Sequence, residues 1–233
     1  MIEIRPFDSL HHSSHGDWLD TRYHFSFSNY YDPKRMGWGR LRVWNDDWIG
    51  PRSGFPPHPH ENMEIITFVR SGALSHKDSM GNIGRTEAGN VQVMSAGSGV
   101  VHAEYNAEDE AETNFQLWIE SDQAGGEPYW ELREFPQDDR AGQWFTLASG
   151  SSGDEGALPI RADAKLVVAT LKAGESLSYE ASPARHQYLV PNTGSIRING
   201  KVAGTRDGIA ITGETILTID ALEDSELVMV DSR

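Results

Sequence analysis

The sequence predicts an all-β protein built as a sandwich or a barrel. Short runs rich in β-branched and aromatic residues recur along the chain, and glycines stand between them, at Gly72, Gly81, Gly89 and Gly97 among others. Many short strands with frequent turn signals are typical of these two architectures. The length of 233 residues suits one large or two small domains.

Six strands are predicted in the first half. The first covers residues 24–28, where Phe25 and Phe27 alternate with polar residues. Before it, a serine-rich stretch with His11, His12 and His15 predicts a loop. The other five strands are predicted at residues 41–44, 64–70, 73–77, 91–95 and 115–120.

The strand pattern weakens between residues 121 and 157. Residues 127–135 predict either a short helix or a strand, and the Gly/Ser-rich residues 149–156 predict a mobile loop. We therefore expect an N-terminal domain at 1–135 and a C-terminal domain at 136–233. Strands are predicted again at residues 166–171, 177–179, 188–190, 195–199, 208–211, 216–219 and 227–230.

The two halves suggest an internal duplication, because residues 188–194 align with residues 66–72. The chemistry-bearing positions nevertheless differ between the copies. Matching Gly194 to Gly72 sets Glu180, Ser182 and His186 against His58, His60 and Glu64, and matching Gly208 to Gly89 sets Ala221 against His102. Only the N-terminal copy is therefore expected to hold a metal.

Composition excludes several classes of function. A net charge of −15 argues against nucleic acid or an anionic membrane as a direct partner, because their phosphates would repel the chain. The absence of cysteine excludes disulfides, zinc ribbons, iron–sulfur clusters and thiol nucleophiles. The acidic N-terminus does not read as a secretory signal and no run of 18 apolar residues occurs, so we expect a cytoplasmic protein.

Two pairs of residues predict a metal site. His58 and His60 lie two positions apart, as do His102 and Glu104, and alternate side chains of a strand point to the same face. Pro57 and Pro59 favour extended backbone in the residues before them. The two pairs therefore converge if their strands are neighbours.

Three neutral imidazoles and one carboxylate suit a divalent first-row metal. Iron, manganese, nickel, copper and zinc all accept this donor set, and an octahedral ion keeps open positions for an anionic, bidentate oxygen ligand. Open positions are typical of a catalytic site rather than a structural one. Apolar candidates for the surrounding pocket, each of which is more often barrel core, are Phe25, Phe27, Phe55, Met63, Met94, Phe115 and Trp118.

The two clusters resemble the two motifs of the cupin superfamily. The residues that match the motifs are Gly54, His58, His60, Glu64 and Gly72 in the first, and Gly89, Gly97, His102 and Asn106 in the second. Glu104, two residues after His102, resembles the arrangement of the pirin family. The segments 25–33 and 78–82 are also similar to bacterial pirins.

This resemblance implies a bicupin fold of two antiparallel β-barrel (jelly-roll) domains. It implies Fe²⁺ bound by His58, His60, His102 and Glu104 in the first barrel, with Glu64 close to the site but not a ligand. It further implies quercetin 2,3-dioxygenase activity, in which O₂ opens the ring of a flavonol and Glu104 assists as a base. The alternative is a non-catalytic, redox-responsive iron protein that acts through a protein partner, and a monomer is expected in either case.

Overall fold

The computed structural model describes all 233 residues and confirms the all-β prediction. Only two short 3-10 helices interrupt the strands, at Phe7–Ser9 and Asp138–Arg140. The strands of the first half are β1 (Ile2–Arg5), β2 (His11–Ser14), β3 (Leu19–Tyr23), β4 (Leu41–Ile49), β5 (Ser53–His60), β6 (Met63–Ser71), β7 (Ala73–Asp78), β8 (Ile83–Glu87), β9 (Val91–Ser95), β10 (Val100–Asn106), β11 (Glu112–Glu120) and β12 (Tyr129–Arg133). Those of the second half are β13 (Phe145–Ser149), β14 (Leu158–Pro159), β15 (Ala164–Leu171), β16 (Ser176–Glu180), β17 (His186–Thr193), β18 (Ile196–Ile198), β19 (Lys201–Ala203), β20 (Gly208–Thr212), β21 (Ile216–Ala221) and β22 (Ser225–Ser232).

Each half forms one barrel from a seven-stranded and a four-stranded sheet. The first barrel combines the order β12-β9-β6-β11-β4-β3-β2 with β5-β10-β7-β8. The second combines β1-β20-β17-β22-β15-β13-β14 with β16-β21-β18-β19. The central order β9-β6-β11-β4 is repeated as β20-β17-β22-β15, so the strand topology agrees with the internal duplication.

The strand β1 crosses between the halves of the chain. It pairs antiparallel with β20, from Ile2 opposite Ile211 to Arg5 opposite Gly208. The N-terminal residues therefore extend the large sheet of the second barrel. The domain division at residue 135 stays a prediction, and β1 is the segment that a cut at this point would separate from its sheet.

The two large sheets pack against each other through the main hydrophobic core. This core is a cluster of 24 buried residues drawn from both halves, including Trp44 and Phe115 from the first and Tyr188 and Val228 from the second. A second cluster of 15 buried residues fills the second barrel. The first barrel has no cluster of that size in its interior and contains only two groups of four.

Three local predictions in the first half are wrong. Residues 24–28 do not form a strand, because the strand β3 ends at Tyr23 and Phe25 instead packs into the core between the barrels. The stretch around His11 is not a loop but the strand β2, which pairs with β3. The helix alternative for residues 127–135 is also wrong, since β12 pairs with β9 there.

The alignment of Ala221 with His102 is also wrong. In the first barrel β5 pairs with β10 so that His58 lies opposite His102. In the second barrel the equivalent pairing of β16 with β21 sets Glu180 opposite Ile216. Gly89 precedes the strand β9, which begins at Val91, whereas Gly208 is itself the first residue of β20, so matching these two glycines does not align the strands that follow.

Neither of the two short helices has the length and apolar character of a membrane-spanning segment.

Candidate metal centre

Three histidines converge at one end of the first barrel. The pairing of β5 with β10 sets His58 against His102 at an Nε2–Nε2 distance of 3.0 Å. The ring of His60 lies 4.9 Å from each of the other two rings, between centroids. One nitrogen from each ring lies within 4.8 Å of the others, which suits a shared metal ion.

The protonation of these histidines favours metal binding. Burial lowers the pKa of His60 to about 4, and the neighbouring His102 and His58 add to this effect. Burial and the nearby His58 and His76 lower the pKa of His102 to about 3. Both rings are therefore neutral at pH 7, and neutral imidazole is the form that binds a metal.

Two further features of the histidines suit metal binding. The Nδ1–H of His58 donates to the Pro56 carbonyl at 2.8 Å, which leaves the Nε2 lone pair free. The Nε2 of His60 is buried without a hydrogen-bond partner. A buried nitrogen left unpaired in this way is costly unless something binds it, so the residues present fit a divalent ion.

Glu104 shares a potential ligand group with His102 but not with His58 and His60, and its carboxylate is held by neutral donors. Its Oε1 accepts hydrogen bonds from Thr67 at 3.1 Å and Gln92 at 2.7 Å, and its Oε2 accepts one from Gln116 at 2.6 Å. The side chain is 3 % exposed. These bonds fix the carboxylate in one orientation.

His76 is a site residue that the sequence analysis left out. A donor atom of His76 lies within 4.8 Å of donor atoms on both His102 and Glu104, so these three form a second potential ligand group. Its Nε2 is 3.0 Å from Asp78 Oδ2, and its ring stacks on Trp130 at 4.7 Å. The pairing of β7 with β10 sets His76 opposite Glu104, and this strand pairing is what brings it to the site.

Glu64 is buried but lies apart from both ligand groups. Its Oε1 accepts hydrogen bonds from Ser95 at 3.0 Å and Ser121 at 2.6 Å. The next residue, Ile65, lines the cavity beside the histidines. Because adjacent residues of a strand face opposite sides, Glu64 points away from that cavity.

A cavity of about 160 Å³ lies beside the histidines. Of the seven apolar pocket candidates, Phe27, Phe55 and Trp118 line it. Phe25 and Phe115 belong instead to the core between the barrels, and Met63 and Met94 to a separate cluster. The 14 residues that line the cavity are Leu19, Thr21, Tyr23, Phe27, Asn45, Asp47, Phe55, His58, His60, Ile65, His102, Glu104, Gln116 and Trp118.

Gly54 allows β5 and β10 to approach closely. A Cβ atom at this position would lie 2.3 Å from the Glu104 carbonyl oxygen, which no side chain can accept. Beyond it the pairing shifts register between His102 and Glu104, so β5 bulges at Pro56 and Pro57. The glycine and the bulge together set the histidine pair of β5 against the ligands of β10.

Comparisons with known proteins agree with this geometry. The pirin family model matches residues 6–119, and a model described as a quercetinase C-terminal cupin domain matches residues 146–232. A pirin-like protein of Caulobacter vibrioides is 56% identical over 232 residues and covers 100% of both chains. The quercetin 2,3-dioxygenase of Escherichia coli K12 is 39% identical over 99% of this chain and 98% of its own.

Solved structures show the same architecture. The bacterial pirin YhhW of Escherichia coli, crystallised in complex with nickel(II), matches with a TM-score of 0.93 at 38% identity and covers 100% of this chain and 99% of its own. The predicted bicupin fold is thereby confirmed. The chain therefore belongs to the pirin family.

Proposed function

We propose that this protein is a metal-dependent dioxygenase that opens a flavonol such as quercetin at the 2,3 bond with O₂, releasing carbon monoxide. One observation carries the proposal. Three imidazoles and a buried carboxylate line one cavity, and burial keeps His60 and His102 neutral at pH 7. The relative from Escherichia coli that bears the name quercetin 2,3-dioxygenase supports this reaction.

The residues proposed to hold the metal are His58, His60, His102 and Glu104. Fe²⁺ is the proposed ion, and Mn, Ni, Cu and Zn are alternatives that the donor set also accepts. The complex of the related YhhW with nickel(II) supports a divalent ion. When bound, the metal lowers the pKa of the flavonol 3-hydroxyl and holds the flavonol for reaction with O₂.

The protein side chains have distinct proposed roles. Glu104 is the proposed catalytic base, which accepts the proton of the 3-hydroxyl, while Gln92 and Gln116 hold its oxygens in place. Phe27 and Trp118 stack edge to face at 5.3 Å and keep water from the reacting ring. The domain division at 1–135 and 136–233, a cytoplasmic location and a monomeric state complete the proposal.

Oxygen uptake by the iron-loaded protein with a panel of flavonols tests the proposal. We expect consumption of O₂ and flavonol by the wild type and its loss in His60→Ala, which removes a ligand. His15→Ala is the matched control, because His15 is exposed and far along the chain from the site. A protein that binds one iron per chain and consumes no flavonol would refute the enzyme and favour the redox-responsive regulator.

A further inference from the structure

The cavity has a polar wall opposite the histidines. Thr21 on β3 and Asn45 and Asp47 on β4 line it, while His58, His60 and His102 line it from β5 and β10. The strands β3 and β4 belong to the large sheet, and β5 and β10 belong to the small one. Thr21 pairs directly with Asp47 across the two strands, so the three polar side chains form one patch, which we name the β3–β4 wall.

Each residue of the β3–β4 wall has a polar atom without a partner. Thr21 Oγ1, Asn45 Oδ1 and Asp47 Oδ1 are all buried and none has a partner at full hydrogen-bond geometry, although the Thr21 hydroxyl lies close enough to the Asp47 carboxyl to oppose the rise of its pKa. Around the rest of the cavity Gln116 is paired with Glu104, and the unpaired nitrogens of His60 and His102 belong to the histidines of the candidate metal centre. Buried polar groups in proteins are nearly always hydrogen-bonded. Three unpaired atoms on one cavity wall therefore indicate that a bound molecule supplies their partner.

The chemistry of the wall suits a hydroxyl group. Two of the three unpaired atoms, on Asn45 and Asp47, accept hydrogen bonds, and the Thr21 hydroxyl both donates and accepts. Burial raises the pKa of Asp47 to about 7, and the negative charges of Asp46 and Glu104 add to this, while Thr21 and Arg70 oppose it. Asp47 is therefore roughly half protonated at neutral pH, and in either form it offers an acceptor to a phenolic O–H.

The volume of the cavity limits what can reach the wall. A cavity of about 160 Å³ is well below the roughly 300 Å³ at which pockets enclose a whole drug-sized ligand. It accommodates one ring of a flavonol, with the remainder of the molecule outside. A hydroxyl that reaches the β3–β4 wall must therefore be on the ring that enters.

We propose that Thr21, Asn45 and Asp47 form a subsite that hydrogen-bonds a ring hydroxyl of the substrate and thereby selects flavonols hydroxylated beyond the chelating 3-hydroxyl. The proposal rests on the proposed function, because it assumes that the flavonol chelates the metal opposite. A site that hydrogen-bonds a substrate hydroxyl rejects the analogue without it, because its own buried polar groups then stay unpaired.

Anaerobic calorimetry with the metal-loaded protein tests the subsite without requiring turnover. The ligands are quercetin, which has further ring hydroxyls, and 3-hydroxyflavone, which has only the chelating one. We expect the wild type to bind quercetin roughly ten- to a hundredfold more tightly. Asp47→Ala and Thr21→Val should bring this ratio close to one while the affinity for 3-hydroxyflavone and the metal content stay unchanged.

Glu112→Gln is the control variant, because it alters a buried carboxylate of the same barrel that does not line the cavity. It should keep the wild-type ratio. Thr21→Val is nearly isosteric, so it tests the subsite if Asp47→Ala does not fold. A ratio unchanged in the folded variants overturns the subsite even if flavonols are consumed. If the ratio falls in the folded variants but neither the wild type nor any variant consumes flavonol, the subsite is supported and the proposed function alone is refuted.

Discussion

At the scale of single residues, two buried carboxylates of the first barrel differ in their position relative to the proposed metal site. Glu104 is held by Thr67 and Gln92 beside the histidines, whereas Glu64 bonds to Ser95 and points away from the cavity. The general cupin motif uses the position of Glu64 as a ligand, whereas the resemblance to pirins implied Glu104 instead. The alternation of β6, which turns Ile65 into the cavity, separates them.

Glu104→Gln should lower metal affinity by at least roughly tenfold, because it removes the only carboxylate of the proposed ligand set and leaves an amide among amides. Glu64→Gln should retain the metal. Metal analysis and calorimetric titration of the two purified variants measure the difference. Equal metal loss in both variants would contradict the assignment of Glu104 as the oxygen ligand.

The raised pKa of the Glu112 carboxyl predicts that the free energy of unfolding depends on pH. Burial raises its pKa to about 8, with Asp47 and Glu104 adding to the rise and its hydrogen bond from Asn114 opposing it. In the unfolded chain the carboxyl ionises near its ordinary pKa of about 4.3. Between these values the folded state binds more protons than the unfolded state, so wild-type stability falls as the pH rises from about 4 to 8.

Glu112→Gln removes that ionisation. The melting temperature of the variant, measured against the wild type, should therefore increase from pH 5 to pH 8, by several degrees for each 2 kcal/mol relieved. Thermal scans at the two pH values provide the measurement. A difference in melting temperature that does not change with pH would show that Glu112 titrates normally.

The convergence of His58, His60 and His102 could be predicted from sequence, but their surroundings could not, and that these residues bind a metal together with Glu104 stays a prediction. His58, His60, His102 and Glu104 stand at i, i+2 spacing on strands, a local signal that survives without knowledge of the fold. His76 has Asp78 at the same spacing, but only the pairing of β7 with β10 brings this pair beside His102 and Glu104. Asp47 likewise depends on β4 lying across the barrel, which no local pattern states.

At the scale of elements, the close approach of β5 to β10 predicts a strict requirement for glycine at position 54. Gly54→Ala would press a Cβ atom against the Glu104 carbonyl and force the strands apart. We expect at least a tenfold loss of metal affinity, measured by titration of the refolded or natively purified variant. Gly153→Ala is the control, since the nearest atom to its Cβ would be Ser151 Oγ at 3.6 Å.

The two wrong strand predictions have different physical causes. Phe25 and Phe27 alternate with polar residues as a strand would, yet Phe25 packs against Tyr188 of the other barrel and Phe27 contacts Trp118 at the cavity. The alternation therefore records two different apolar environments rather than one face. The strand β2 escaped prediction because its four residues, His11–Ser14, are all polar.

At the scale of the whole molecule, the shared core predicts that both barrels unfold together. Leu166 belongs to the second half but lies fully buried in the cluster between the large sheets. Leu166→Ala should cost about 2–5 kcal/mol and lower the melting temperature by roughly 4–20 °C. We expect a single calorimetric transition, in which metal release coincides with unfolding of the second barrel.

Leu222→Ala is the matched control, because Leu222 is 39% exposed and should change the melting temperature little. Calorimetry and the absorption of a cobalt-substituted metal site follow the two processes separately. If the metal site of Leu166→Ala melts at the wild-type temperature while the second barrel melts earlier, the two barrels are independent and the prediction is wrong.

The pairing of β1 with β20 also orders events during synthesis. A ribosome adds roughly 5–20 residues per second, so Ile2 waits roughly 10–40 s before its partner Ile211 exists. His58, His60, His102 and Glu104 all emerge well before that time. The proposed metal ligands of the first barrel can therefore come together while β1 is still unpaired. The last step of folding is the pairing of β1, at the start of the chain, with the second barrel.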